Sequence, residues 1–425
     1  MHQFAGYICS ICGAHYAPDE VIYTCPNDGG NLDVALDYAG IQDGVNPAAI
    51  LNAGDPSLWR YLPLLPIGDP GGVGTPLRAA GGTPVFTPVK LAESLHMSYL
   101  WIKDESRNPT ASFKDRASAI VVGRAREIGA EVVVTASTGN AGAALAGMAA
   151  AVGQKAVIFA PRTAPPAKIA QLLVYGAQVL LVDGTYDDAF DLSILAANEF
   201  GWYCRNTGYN PFTSEGKKTA AFEIWEWLLK HAQEAGANSA SDLNALIKRL
   251  AIFVSVGDGN IISGIHKGFK DLSALGWMES MPRIFGVQAE GSAAIANAFY
   301  SGNEVIVPVS ASTLADSISV DLPRDGVRAV RAARQTTGGY VIVSDEQILQ
   351  AIAQLGKVGI FAEPAGATSF AGLVKARESG ILHAEDPVMV INTGSGLKDV
   401  KAAMQAVTSA PIIEPSLSAV NRVIK

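Results

Sequence analysis

The chain has 425 residues, of which 49% are hydrophobic and 17% charged, with 43 Gly and a net charge of −8. That length exceeds one ordinary core and calls for two or three domains, while so apolar a composition excludes a disordered chain. The acidic balance excludes a broad nucleic-acid or anionic-membrane surface, so any phosphate it binds needs a local pocket.

Taken in chain order, the first ten residues lack the basic patch and apolar core of a signal peptide. Cys9-Ser10-Ile11-Cys12 is followed by Cys25-Pro26-Asn27-Asp28-Gly29-Gly30, which predicts a small zinc-ribbon-like segment over 1–36. Tight turns there aim thiolates at one tetrahedral ion. Cys9, Cys12 and Cys25 are three ligands; Asp28 or His15 completes the set, or the ribbon has lost its metal. Four cysteines in so long a chain make no disulfide framework, which points to a reducing cytoplasm. Cys204, between Tyr203 and Arg205, reads as core. Residues 37–82, with Pro63, Pro66, Pro70 and Gly71-Gly72, read as an arm lying over the main body.

Beyond the arm, short apolar β-branched runs at 132–134, 156–159, 179–182, 252–256, 284–287 and 388–391 alternate with helix-length stretches. The pattern predicts an α/β protein with mostly parallel sheets covered on both faces. Such sheets carry their sites at the carboxyl ends of the strands. The charge-free run 132–154 is interrupted by Ser137-Thr138-Gly139-Asn140, so it reads as strand, loop and buried helix, not as a membrane span.

Four loops carry chemistry. Ser112-Phe113-Lys114-Asp115-Arg116 follows a strand-like segment, and a lysine held there, with Phe113 beside it, suits a Schiff base with pyridoxal phosphate. The alternative is a solvated lysine paired with Asp115. Ser137, Thr138, Gly139 and Asn140 open the helix predicted over 141–151, where unpaired N–H groups favour a substrate carboxylate. Asn140 also offers an amide to a cofactor hydroxyl. Gly257-Asp258-Gly259-Asn260-Ile261 opens another helix and is a candidate phosphate cradle. Thr393, in Thr393-Gly394-Ser395-Gly396, ends a buried strand where a hydroxyl can meet a pyridine nitrogen.

Together with Gly82-Thr83-Pro84, Glu215-Gly216-Lys217-Lys218-Thr219 and Gly286-Val287-Gln288-Ala289-Glu290-Gly291, these motifs run in order over nearly the whole chain. In them the sequence resembles the pyridoxal-phosphate enzymes of the tryptophan-synthase-β fold (fold type II), and most closely the threonine synthase family. The resemblance implies a cytoplasmic lyase of threonine biosynthesis that acts on a small amino-acid substrate as a homodimer, without nucleic acid or membrane. It implies that Lys114 is the anchor and proton shuttle, that Asn140 meets the ring hydroxyl, that the 257–261 loop holds the cofactor phosphate, and that Thr393 meets the ring nitrogen. It also implies a large domain (83–116 and 220–425) and a small substrate-carboxylate domain (117–219), with the cofactor between them.

Two departures bear on the substrate. Many threonine synthases carry an Arg shortly after an Asn-Pro pair to hold the substrate phosphate, where this chain has Thr213. The 257–261 loop places Asp258 beside the cofactor phosphate, where the family usually has Gly-Asn-x-Gly-Asn. Lys217, Lys218 or Arg205 can replace the charge, although each taken singly reads as a surface residue. The alternative activity is a sister β-elimination or β-replacement on serine, threonine, diaminopropionate or O-phosphoserine. An inert binding module, or a generic nucleotide-binding protein, has less support, since no Gly-x-Gly-x-x-Gly follows the first strand.

Overall fold

The computed structural model describes residues 3–424 except 138 and 165. The strands, in chain order, are β1 (Phe4–Cys9), β2 (His15–Tyr16), β3 (Leu32–Leu36), β4 (Val85–Phe86), β5 (Leu100–Asp104), β6 (Val132–Ala136) and β7 (Lys155–Pro161). They continue with β8 (Gln178–Val182), β9 (Tyr203–Cys204), β10 (Ala251–Ser255), β11 (Arg283–Ala289), β12 (Gly339–Val343) and β13 (Val388–Asn392).

Among the described residues these form three sheets, ordered β2-β1-β3, β12-β11-β10-β13-β5-β4 and β8-β7-β6-β9. The first is an antiparallel ribbon. The large sheet is parallel except for the short edge pair β4–β5, and the four-stranded sheet is parallel throughout. Every residue of β5, β10 and β13 is buried. Burial on both faces explains why β10 and β13 are nearly continuous apolar runs rather than alternating ones, whereas β5 ends in Lys103 and Asp104, which are buried in ion pairs.

The helix Lys114–Glu127 packs on the helix Phe212–His231. The contact is close because of Gly216: a Cβ there would lie 2.1 Å from the carbonyl oxygen of Arg116. At its base is a buried ion network. Arg116 bonds Glu105 through Nε (2.7 Å) and Glu223 through Nη1 (2.7 Å), and Lys103 Nζ bonds Glu223 at 2.7 Å. Burial alone would raise both carboxyls, but Arg116 and Lys103 outweigh it and hold them ionised. The network therefore fixes the first turn of the Lys114 helix against the strand end that precedes it.

The arm of 37–82 is not plain loop: it carries helical turns at Tyr38–Gly44, Pro47–Leu51, Leu58–Leu64 and Pro76–Ala79, with Leu58, Trp59, Tyr61 and Leu64 buried. Prolines and glycines mark its breaks and conceal these turns. Cys204 is fully buried. No helix among the described residues is long and apolar enough to cross a membrane.

Candidate active site

Lys114 begins its helix just after β5 and faces a cleft at the carboxyl ends of strands from both parallel sheets. The turn before it is tied to the turn after β13. Phe113 N donates to the Thr393 carbonyl at 2.9 Å, and Ser395 N donates to the Ala111 carbonyl at 3.1 Å. Ala111 is held at φ +65°, a left-handed conformation a non-glycine residue enters only under constraint. The turn that carries Lys114 and the turn of Thr393 are thereby set in one frame.

Asp115 is not the partner of Lys114. It turns back to Thr110, accepting from Thr110 N at 2.6 Å and from its hydroxyl, and burial raises its carboxyl to about 6. Among the described residues Lys114 makes no ion pair. Burial first, then the nearby Arg205, bring its amine down to about 8, while Asp258 and Glu363 pull the other way. An amine in that range is available as a nucleophile and base near neutrality.

The cleft has an outer cavity of about 390 Å³ and a narrow inner slot, and both are lined by Lys114, Asn140, Thr207, Asp258 and Ser317. The inner slot brings together Phe113, Lys114, Asn140, the whole 257–261 loop and Thr393. The outer cavity receives Ser137, Gly139 and Asn140 at the start of the helix Asn140–Ala150. Thr138, the remaining member of that loop, lies outside the described residues. The 257–261 loop is a cradle that side chains would fill: Gly259 has φ +90°, and a Cβ there would meet the Asp325 carbonyl at 2.6 Å.

The reading of Lys217, Lys218 and Arg205 as surface charges is corrected by the structure: all three are 0% exposed. Lys218 is neutralised by Glu215 and by Asp271 at 2.8 Å. Among the described residues Arg205 and Lys217 form no ion pair, although Asp258 lies close enough to favour the charge of both. Arg205 bonds only hydroxyls, Ser118 through Nε (3.2 Å) and Thr207 through Nη1 (2.7 Å), and its Nη2 finds no partner among the described residues. Lys217 bonds the Asn260 side-chain oxygen. Burial lowers Arg205 to about 10. Burial, then Lys114 and Arg205, push Lys217 well below the usual lysine range.

Thr213 is buried too, and donates to the carbonyl oxygen of Asn210 at 2.7 Å and to Asn260 Oδ1 at 3.1 Å. It braces the cradle instead of facing the cleft. Asp258 does not turn away: it lines both cavities, its Oδ1 accepts from Arg324 N at 3.3 Å, and burial raises its carboxyl.

Two site residues escaped the motif reading. Glu363, at the start of the helix Pro364–Glu378, accepts from Asn140 Nδ2 at 2.6 Å, and burial with the nearby Asp316 raises its carboxyl to about 7. Its signal was Glu363-Pro364, an acidic residue before a helix-starting proline. Thr207 stands three residues after β9 and joins Arg205 to the cleft wall.

The fit to pyridoxal phosphate is good on the structure's own terms: an amine without an ion pair and a glycine-shaped cradle line one slot, and the buried Lys217 bonds Asn260 of that cradle from behind. The model of the pyridoxal-phosphate dependent enzymes matches residues 77–394. The chain belongs to that family. It is 38% identical over 421 residues to a threonine synthase of Methanocaldococcus jannaschii, covering 98% of both chains. With a threonine synthase of Methanosarcina acetivorans it shares 36% over 420 residues, again 98% of each. Within the pyridoxal-phosphate enzymes it therefore falls in the threonine synthase family, whose members are lyases. Among solved structures, a threonine deaminase isoform from Solanum lycopersicum has a TM-score of 0.62 at 23% identity, with 80% of this chain and 92% of that one covered. A diaminopropionate ammonia lyase from Escherichia coli has a TM-score of 0.63 at 20% identity, covering 76% and 87%. These two establish the shared fold type II architecture alone.

Proposed function

We propose that the protein converts O-phosphohomoserine and water to threonine and phosphate. The relatives support the family activity. The observation that carries the phosphorylated substrate is the pair of buried basic side chains, Arg205 and Lys217, which form no ion pair among the described residues. Burying an unpaired charge costs several kcal/mol, and a dianionic ligand offsets that cost. Lys217, on Asn260, sits under the cofactor cradle, whereas Arg205 lies buried behind Thr207, which lines the outer cavity. Arg205 thus takes the place of the missing arginine at Thr213 as the charge partner of the substrate phosphate.

Bound pyridoxal phosphate supplies an electron sink that acidifies the substrate hydrogens at Cα and Cβ. Lys114 is its covalent anchor. Phe113 would pack beside it, the N–H groups of Gly257, Gly259, Asn260 and Ile261 would hold its phosphate with Asp258 on the rim, Asn140 would meet its hydroxyl, and Thr393 its ring nitrogen. The substrate carboxylate lies on the 137–140 loop at a helix N-terminus. With its amine free, Lys114 Nζ would take the proton from Cα and carry protons between neighbouring carbons. In balance, the Cγ–O bond breaks and phosphate leaves, Cβ loses a proton and gains the oxygen of water, and Cγ ends as a methyl. Arg205 stabilises the negative charge on the departing phosphate. The small lobe, 117–219, closes over the large one, 83–116 with 220–425, and excludes water from the reactive carbon. The resemblance also supports a homodimer.

The test is to incubate the cofactor-loaded protein separately with O-phosphohomoserine, O-phosphoserine, threonine and serine, following phosphate, threonine and 2-oxo acid. Phosphate from O-phosphohomoserine alone, matched by threonine, is expected. Turnover confined to the other three would replace this reading with a β-eliminase or β-replacement enzyme.

A further inference from the structure

The ribbon carries a second chemical centre, away from the cleft. The Sγ atoms of Cys9, Cys12 and Cys25 and a carboxylate oxygen of Asp28 all lie within 4.8 Å of one another. Cys12 Sγ is 3.7 Å from Cys25 Sγ, and Cys9 Sγ is 3.4 Å from Asp28 Oδ1. A tetrahedral ion with bonds of ~2.3 Å to sulfur and ~2.0 Å to oxygen has edges of roughly 3.8 Å and 3.5 Å. The thiols are thus spaced as ligands of one ion and too far apart for a disulfide.

The backbone supplies an independent observation. Cys9 N donates to the carbonyl two residues beyond Cys12, that of Ala14 (2.8 Å), and Gly13 N returns to the Cys9 carbonyl (3.1 Å). Cys25 N donates to the Gly30 carbonyl (2.9 Å), and Gly29 N returns to the Cys25 carbonyl (2.8 Å). Gly13 and Gly29 have φ +73° and +70°. The two turns are copies of one knuckle, and Asp28 occupies in the second the place of Cys12 in the first. His15 is exposed, lies outside the cluster, and is not the fourth ligand. Outer contacts are present as well: Ile11 N donates to Cys9 Sγ at 3.3 Å, the Tyr16 hydroxyl is 3.0 Å from Cys25 Sγ, and Gly30 N orients Asp28 at 2.8 Å.

The knuckles support a strap. Asn31, just past the second one, donates through Nδ2 to the carbonyls of Gly208 and, at 3.0 Å, of Arg324, and Arg331 donates to the Ser10 carbonyl. Gly208 follows Thr207, and both Thr207 and Arg324 line the outer cavity. One side chain of the ribbon therefore pins two cleft-lining segments that are more than a hundred residues apart in sequence.

We propose that Cys9, Cys12, Cys25 and Asp28 hold one zinc ion, and that this ion fixes the strap at Asn31 that clamps Gly208 to Arg324. Three thiolates with one carboxylate suit a borderline-soft tetrahedral cation, and a site closed by four protein ligands is structural rather than catalytic.

The test uses the full-length, cofactor-loaded protein, measuring metal per chain by elemental analysis and amide hydrogen exchange before and after chelation. One zinc per chain is expected in the wild type, well below half in Cys25→Ser, and one in His15→Ala. Asp28→Cys, which completes a four-thiolate set, keeps its zinc at chelator concentrations at least about tenfold higher than the wild type withstands. Cobalt substituted for zinc gives the visible bands of a tetrahedral thiolate site. On chelation, exchange rises at Asn31, Gly208 and Arg324 as well as within the knuckles. A wild type that carries less than a tenth of an ion and takes up none from zinc buffer would overturn the site, as would loss of metal in His15→Ala. Faster exchange confined to the knuckles would overturn the clamp.

Discussion

Replacing Arg205 with methionine separates function from stability most sharply. The change removes a fully buried guanidinium and its bonds to Ser118 (3.2 Å) and Thr207 (2.7 Å). Two such bonds from a charged donor contribute about 3 kcal/mol or more net. Against that loss stands the removal of a buried charge that forms no ion pair among the described residues, a gain of several kcal/mol, and methionine fills the space with apolar volume. Without ligand, Arg205→Met should therefore be as stable as the wild type or up to a few kcal/mol more stable in urea titrations. Turnover of O-phosphohomoserine should move the other way. A charge-assisted bond to phosphate is worth ~1.5–3 kcal/mol, which corresponds to a loss of about 10- to 150-fold in kcat/KM. Exchange of the Cα hydrogen of threonine, which presents no phosphate, should change by less than about threefold. A variant that loses more than about 3 kcal/mol of stability while keeping its kcat/KM would show that Arg205 is structural and sink the argument.

Other outcomes follow from the same geometry. Lys114, with its amine near 8 rather than 10.5, is about one-tenth free base at pH 7 instead of a few parts in ten thousand; the rate at which the apoprotein takes up pyridoxal phosphate should rise with pH and level off just above 8, and a rise continuing to 10 would contradict this. Glu363, raised to about 7, holds its proton in the folded state but not in the unfolded one between about 4.5 and 7, so its contribution to stability is full below 4.5 and fades as pH rises through 7. In Glu363→Gln that pH dependence should disappear from urea midpoints, and an unchanged profile would count against it. Arg116→Met takes from Glu105 its closest partner and leaves Glu223 to Lys103 alone, and should cost about 3–5 kcal/mol; a cost below 1 kcal/mol in chemical denaturation would contradict the buried network.

What the sequence made legible was whatever periodicity and loop chemistry report. Most of the buried parallel strands announced themselves as apolar runs, and the loops of Asn140, Gly257 and Thr393 each stood at the end of one of them, whereas the 316–324 segment, which also lines the outer cavity, follows no strand. Long-range partners were hidden because nothing local encodes them. Lys217 and Lys218 are neighbours of identical type, yet one meets Asp271, 53 positions away, and the other meets Asn260 and forms no ion pair among the described residues. Arg205 looked like an ordinary charge because its burial comes from the sheet packed around it. Glu363 was missed because its significance rests on Asn140, 223 residues distant in sequence. The strand Gly339–Val343 carries the run Tyr340-Val341-Ile342-Val343, which is as long and as β-branched as the runs at 156–159 and 179–182 and is legible by the same rule.

The most direct measurement of the central claim is a paired assay of the cofactor-loaded wild type and Lys114→Ala with O-phosphohomoserine in oxygen-18 water. The wild type is predicted to release one phosphate per threonine, with the heavy oxygen in the threonine hydroxyl. Lys114→Ala is predicted to do neither and to form no borohydride-stable adduct with pyridoxal phosphate. Threonine formed by Lys114→Ala, or heavy oxygen found in the phosphate instead, would contradict the account.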